Sequence, residues 1–268
     1  MDIFSLFSYG FIMHAYIVGV CIGALAGMLG LLLVLRNRAL IGDGLAHVSF
    51  GAIALGMVMG MYPFVVAVPI VVLASLGIGK LTERATLFGD AAIGIISATG
   101  VAGGVLLASM AQGFNVDLFS YLFGNILAVA TWEIVFAAAL SVIVAVLVLV
   151  NYHTFFLTTF DESLARASGI HTKLIEALLM ALTGIAVVLS IKAVGVLLVS
   201  ALLVIPAVTA LQLAKSFGGA MTLSVFLAIS VILIGITLSF FADIPTGATI
   251  VLLSVLIFLF ALVWRRTK

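Results

Sequence analysis

The chain has little of what a water-facing surface needs: of its 268 residues only 8% are Asp, Glu, Lys or Arg, while 65% are hydrophobic. With a mean hydropathy of +1.47, too few polar side chains exist to cover a soluble domain of this size. There is one cysteine, Cys21, inside an apolar run, so neither an intrachain disulfide nor a cysteine-rich metal site can form. A formal net charge of +1 gives no sign of nucleic acid as a partner. Enzyme signatures are missing too. No His-Glu-x-x-His, no Gly-x-Ser-x-Gly and no pair of Asp residues within the spans is present, which removes the common intramembrane proteases. The stretch Leu76-Gly-Ile-Gly-Lys-Leu-Thr82 is not a phosphate loop, because Ala74 stands where the first glycine belongs and Leu81 separates Lys80 from Thr82. Without an ATP site of its own, the chain is read as a non-enzyme.

What the chain has instead is long apolar runs. A hydrocarbon core of about 30 Å takes roughly 20 apolar residues as a helix, and helices satisfy their own backbone there. Breaks between the runs predict helices over 13–35, 44–60, 63–80, 91–111, 131–151, 174–191, 194–214, 220–240 and 247–264. Short breaks at Met61 and Tyr62, and at Lys192 and Ala193, make tight hairpins, so 8 to 9 spans are expected. The fold class is all-α: a polytopic transmembrane helical bundle forming a single domain, 1–268, in the cell membrane. No Lys or Arg precedes Arg36, and the first run exceeds a signal-peptide core, which predicts a retained span.

Charge sets an expected orientation. With a cytoplasmic C-terminus, Arg36, Arg38, Lys80, Arg84, Arg166, Lys173, Lys215, Arg265, Arg266 and Lys268 share the inner side, and only Lys192 lies opposite. Asp2, Asp117, Glu133 and Asp243 join Lys192, giving an acidic outer mouth that favours an arriving cation. The 112–130 loop, with Phe114, Phe119, Tyr121 and Phe123, is expected to lie at the interface or re-enter. Gly19, Gly23 and Gly27, Gly56 and Gly60, and Gly100 and Gly104 recur every four residues, a spacing that lets helix backbones approach closely in lipid. Pro206 is expected to kink the seventh helix.

Chemistry concentrates at Asp43 and His47, four residues apart at the mouth of the second span. At i and i+4 both side chains lie on one helix face, so one helix offers an oxygen and a nitrogen ligand. That donor pair suits Zn, Mn or Fe and suits Na or K poorly. Two ligands are too few to hold an ion tightly, as a transport pathway requires; a symmetric homodimer would bring four together. The competing reading makes Asp43, between Gly42 and Gly44, the N-cap of the second helix, with His47 a neutral partner. A second landmark covers 161–169: Asp161 and Glu162 open a short helix, Leu164, Ala165 and Ala167 form a small apolar face, and Gly169 ends it. Such a knob fits a groove on a partner, or else is an ordinary interfacial helix.

Five blocks in order, namely Leu40-Ile-Gly-Asp-Gly-Leu-Ala-His-Val-Ser-Phe50, Asp117-Leu-Phe-Ser-Tyr-Leu-Phe-Gly124, Asp161-Glu-Ser-Leu-Ala-Arg-Ala-Ser-Gly169, Gly195-Val-Leu-Leu-Val-Ser-Ala-Leu-Leu-Val-Ile-Pro-Ala207 and Ile244-Pro-Thr-Gly-Ala248, carry a resemblance. The chain resembles the permease subunits of metal-specific ABC importers, the zinc/manganese/iron family. The resemblance implies a separate cytoplasmic ATPase, an extracellular metal-binding protein and no cofactor beyond the transported metal. It assigns Asp43 and His47 to the metal site, and Asp161, Glu162, Leu164, Ala165, Ala167 and Gly169 to the helix that couples to the ATPase. Val48-Ser-Phe-Gly51 is similar to the zinc branch, so Zn(II) is the expected cargo, with manganese or iron the alternative. An ion-coupled secondary transporter using Asp43 and His47 as a proton relay is the remaining class; the chain lacks a convincing inverted repeat for it.

Overall fold

The computed structural model describes residues 10–84, 89–110, 121–124 and 131–266. Among these residues there are helices and no strands. The helices are α1 (Gly10–Leu35), α2 (Ile41–Val58), α3 (Pro63–Arg84), α4 (Gly89–Met110), α5 (Thr131–Val150), α6 (Tyr152–Phe160), α7 (Glu162–Ala167), α8 (Thr172–Val194), α9 (Val199–Leu213), α10 (Phe217–Ala242) and α11 (Thr246–Arg266). Eight are long and apolar enough to cross a membrane, and α9, at 15 residues, is shorter.

Contacts between distant residues sort the helix ends into two groups. At one end, Arg36 after α1 bonds to Thr158 and Thr159 of α6, and Arg38 pairs with Glu176 of α8. Phe217, opening α10, packs on Tyr152, Phe156 and Phe160 of α6 at this same end. At the other end, Tyr121 stacks near Phe64 in the first turn of α3, and the carbonyls of Tyr121 and Leu122 accept from the amides of Val196 and Leu197. Helix α9 therefore runs from the second end back to the first despite its length. It continues as one helix through the buried Pro206.

Two boundaries differ from expectation. The turn expected at Lys192 and Ala193 falls a few residues later: α8 runs through both to Val194 and is capped by Gly195, whose φ of +86° a side chain would strain. A Cβ at Gly195 would also lie 2.4 Å from the Leu122 carbonyl oxygen. The turn that follows, in which the Leu198 amide bonds the Gly195 carbonyl at 3.1 Å, delays α9 to Val199. The second helix begins at Ile41, three residues earlier than expected, because Asn37 takes a left-handed turn at φ +56° and the Arg38 carbonyl already accepts the Ile41 amide at 3.1 Å.

Helices α1, α2 and α8 are the most enclosed, and their apolar side chains dominate a core that also draws on α9 and α10. Outward faces of α4, α5 and α11 carry Leu106, Met110, Val135, Val150, Leu252 and Phe260, as lipid-facing surfaces should. Small residues set the tightest contacts. A Cβ on Gly27 would lie 2.5 Å from the Val225 Cα of α10, and one on Gly100 would lie 2.7 Å from the His47 carbonyl oxygen. Of the 112–130 loop only 121–124 is described, and Asp2 and Asp117 lie outside the described residues. Glu133 does not contribute an open charge to the mouth. It is 8% exposed and accepts a hydrogen bond from the Tyr62 hydroxyl, with Trp132 edge-on to the Tyr62 ring. Burial, then the Glu133 contact, pushes the Tyr62 phenol above its ordinary range.

Candidate metal centre

Because α2 starts at Ile41, Asp43 is the third residue inside its first turn, and the N-cap Leu40 makes no side-chain cap. The capping account of Asp43 thus loses its geometry. The carboxylate instead reaches across to α9, where the Ser200 hydroxyl donates to Asp43 Oδ1 at 3.3 Å. His47, one turn along α2, places Nε2 3.7 Å from Asp43 Oδ2. That gap is too long for a hydrogen bond. It is close to the roughly 3.4 Å between two donors that each sit about 2.1 Å from a shared ion.

The cluster lies in the first turns of two helices, Asp43 five residues beyond Arg38 and Ser200 second in α9. At about 1.5 Å per residue, α8 with its 23 residues rises about 34 Å and α9 with 15 rises about 22 Å. Both share the Arg36 end, so the first turn of α9, with Ser200, stops short of the far surface. The Asp43 side chain is 45% exposed, and His47 21%. No group of three or more His, Cys, Asp or Glu able to hold a metal exists among the described residues. The chain therefore offers Asp43, His47 and the Ser200 hydroxyl. Sequence reasoning misses Ser200: one serine inside the apolar run 195–207 carries no local signal.

The 161–169 segment forms the expected short helix. Asp161 caps α7, accepting from the Leu164 amide at 2.9 Å and the Ser163 hydroxyl at 2.7 Å. At the other end Gly169 takes φ +82°, while its amide bonds the Arg166 carbonyl and the Ile170 amide bonds that of Ala165. This is the paired C-terminal capping pattern that favours glycine. The bonds at the first end hold the Asp161 carboxyl below its ordinary range, Ser163 contributing most, and Arg166 does the same for Glu162. The apolar face divides differently from expectation. Ala165 is fully buried, whereas Leu164 is 52% exposed and Ala167 also faces outward. Only Leu164 and Ala167 of that trio can meet a partner.

Eight helices long and apolar enough to cross a membrane, a polar cluster between α2 and α9, and an exposed short helix at one end fit the class of membrane transport subunits. The chain belongs to the ABC 3 transport family, whose profile matches residues 8–265. The manganese transport system membrane protein MntC of Listeria innocua is 34% identical over 258 residues, 96% of this chain and 91% of that protein. The manganese import system permease protein ScaB of Streptococcus gordonii is 33% identical over 255 residues, 95% of this chain and 91% of that protein. A solved structure of PsaBC from Streptococcus pneumoniae in complex with Fab superposes with a TM-score of 0.88 at 30% identity, covering 97% of this chain and 93% of that one. The chain is thus a metal ABC permease: the membrane subunit, with hydrolysis left to a separate ATPase. Family membership sets aside the secondary-transporter reading. The expectation of zinc finds no support, since both relatives are named for manganese; four residues after His47 are too little sequence to carry a metal preference.

Proposed function

We propose that this permease admits manganese to the cytoplasm, passing the ion through a station made by Asp43, His47 and Ser200. The observation that carries the reading is the convergence of these three groups, from two helices, in a largely apolar bundle. An ionisable pair inside a span is costly and marks an ion pathway. Two oxygen donors and one nitrogen suit Mn(II), a harder ion than Zn(II), and manganese is the metal named for MntC and ScaB. The metal is cargo, not a resident cofactor.

The same reading gives the end with Arg36 to the cytoplasm, by the excess of Lys and Arg there. Helix α7 then docks on the ATPase through Leu164 and Ala167, and an extracellular binding protein delivers metal to the opposite end. A half-exposed Asp43 in a spanning helix needs cover other than lipid, which supports a homodimer whose second copy faces α2.

Uptake by the permease, its ATPase and its binding protein reconstituted in vesicles tests this. Manganese should accumulate with ATP and in preference to zinc, and Asp43→Asn, which keeps shape but loses charge, should abolish it with the complex intact. Normal manganese uptake in Asp43→Asn would remove Asp43 from the pathway.

A further inference from the structure

The α1–α2 connection is bonded to the segment carrying α7, and we propose that Arg36 and Arg38 are positioning residues that carry movement of the α7 region to Asp43. The inference rests on the reading of α7 as the ATPase-docking helix and of Asp43 as a metal ligand.

Arg36 closes α1 and spreads its guanidinium over the last turn of α6. Its Nη2 donates to Thr158 Oγ1 at 2.6 Å and its Nε to Thr159 Oγ1 at 3.1 Å. Thr158 is buried and passes its own proton to the Thr154 carbonyl at 2.8 Å, so the acceptor is fixed in orientation. Two residues beyond Thr159, Asp161 ends α6 and caps α7, which makes the pair of helices one continuous unit. On the other side of the link, Arg38 forms an ion pair with Glu176 in the opening turns of α8. Glu162, the first residue of α7, lines the same polar cavity of about 280 Å³ as Arg36, Arg38, Thr159 and Glu176. Its carboxyl is drawn down chiefly by the bond from Arg166, with the Arg36 charge the smallest contribution.

The link itself cannot absorb movement. Asn37 turns the chain at φ +56°, the amides of Arg36 and Arg38 bond the α1 carbonyls of Leu32 and Leu33, and the carbonyls of Arg38 and Leu40 accept the amides of Ile41 and Gly44, so Arg36 is tied to the end of α1 and Arg38 joins that end to the start of α2. Asp43 lies in that first turn, and the contact of Gly100 with the His47 carbonyl makes α2 and α4 shift as a body. A displacement of α6 and α7 against α8 therefore moves the metal ligands directly. The cavity gives the guanidinium groups room to exchange partners while staying solvated, which a dry apolar contact would not allow. Hydrogen-bonded contacts of this kind, with discrete arrangements, are the physical form that coupling between distant sites takes.

The test uses the full complex of permease, ATPase and binding protein in vesicles. Thr158→Val with Thr159→Val removes both acceptors at nearly constant shape and touches neither the metal ligands nor α7. Expected results are normal co-purification of the ATPase, retained basal hydrolysis, loss of stimulation by metal-loaded binding protein, and a fall in manganese uptake of roughly tenfold, within the usual range of coupling between sites. At the second pair, Arg38→Glu and Glu176→Arg should each lower uptake, and the two together should restore much of it. Uptake within about twofold of the parent in the threonine variant, well below that coupling range, overturns the inference. So does loss of the ATPase from that variant, which would make these residues part of the docking platform, and so does failure of the charge reversal to recover. If the parent complex itself moves no manganese, the transport reading fails instead.

Discussion

The hydroxyl of Ser200 donates to Asp43 Oδ1 at 3.3 Å, joining α9 to α2 across 157 positions of sequence. A hydroxyl both donates and accepts. It can hold the carboxylate in place while the site is empty and turn a lone pair to a metal when one arrives. Ser200→Ala should therefore leave folding and maximal uptake near the parent and raise the KM for manganese, by a factor of roughly ten for a lost bond of about 1.4 kcal/mol to a charged group. Uptake kinetics in vesicles measure it, and an unchanged KM would remove Ser200 from the site.

Close packing behind the site is equally testable. A methyl at Gly100 would press on the His47 carbonyl at 2.7 Å, whereas one at Gly103 meets nothing within 4 Å. Gly100→Ala should cost about 1–3 kcal/mol by overpacking and push α2 away from α4, disturbing the His47 turn and weakening uptake. Gly103→Ala should be neutral or slightly stabilising, since alanine is the better helix former by about 1 kcal/mol. Thermal unfolding in detergent compares the two. Equal effects would mean that the α2–α4 contact does not constrain the site.

Periodicity and charge are local properties that a single sequence displays, and contacts between distant segments are not. Nine apolar runs predict nine helices, 8 to 9 of them spans, and α1–α5 and α8–α11 answer to those runs, eight of them long enough to cross a membrane; Asp161 and Gly169 mark the two caps of α7, because helix length and capping are local. Helix α6 leaves no mark inside 151–173 because Tyr152–Phe160 is too short and too mixed to stand out from a loop. The start of α2 reads three residues late because Gly42, Asp43 and Gly44 imitate a cap, while the actual start is set by the turn at Asn37. Ser200 and the Arg36 bonds depend on segments more than a hundred residues apart, which one sequence cannot bring together.

Neighbouring positions in α7 should separate docking from folding. Leu164 is 52% exposed and Ala165 fully buried. Leu164→Asp should leave the permease folded, since exposed substitutions usually stay within about 0.5 kcal/mol, but lose ATPase on purification or uncouple hydrolysis from uptake. Ala165→Asp puts a charge at a buried position and should lower thermal stability before any partner is added. Normal uptake in Leu164→Asp would count against docking.

Acid should spare α7 until the pH is low. The carboxyls of Asp161 and Glu162 are held below their ordinary range by Ser163 with the Leu164 amide, and by Arg166, respectively. A folded-state value below the unfolded one means the contribution is complete above the ordinary carboxylate range and disappears as pH falls through the lowered folded values. Hydrogen exchange at the Leu164 and Ala165 amides should keep the same protection from pH 7 to about 5 and lose it only below about 4. Asp161→Ala should lose protection at every pH. Protection already gone at pH 5 would show that the cap does not hold the helix.

Orientation can be read from outside the cell. In a Cys21→Ser background, a cysteine at Lys173 marks the end carrying Arg36, and one at Met61 marks the opposite end; both positions are exposed. Helix α8 begins at Thr172 and α3 at Pro63, so each label lies within two residues of a span boundary, and neither touches the metal ligands or α7. With basic residues held inside, an impermeant maleimide should modify Met61→Cys in intact cells and reach Lys173→Cys only after the membrane is opened. That order places α7 where a cytoplasmic ATPase can grip it and the α2–α3 turn where a binding protein can deliver metal. The reverse pattern of labelling would put α7 outside, and with it the proposed coupling to ATP hydrolysis would fall.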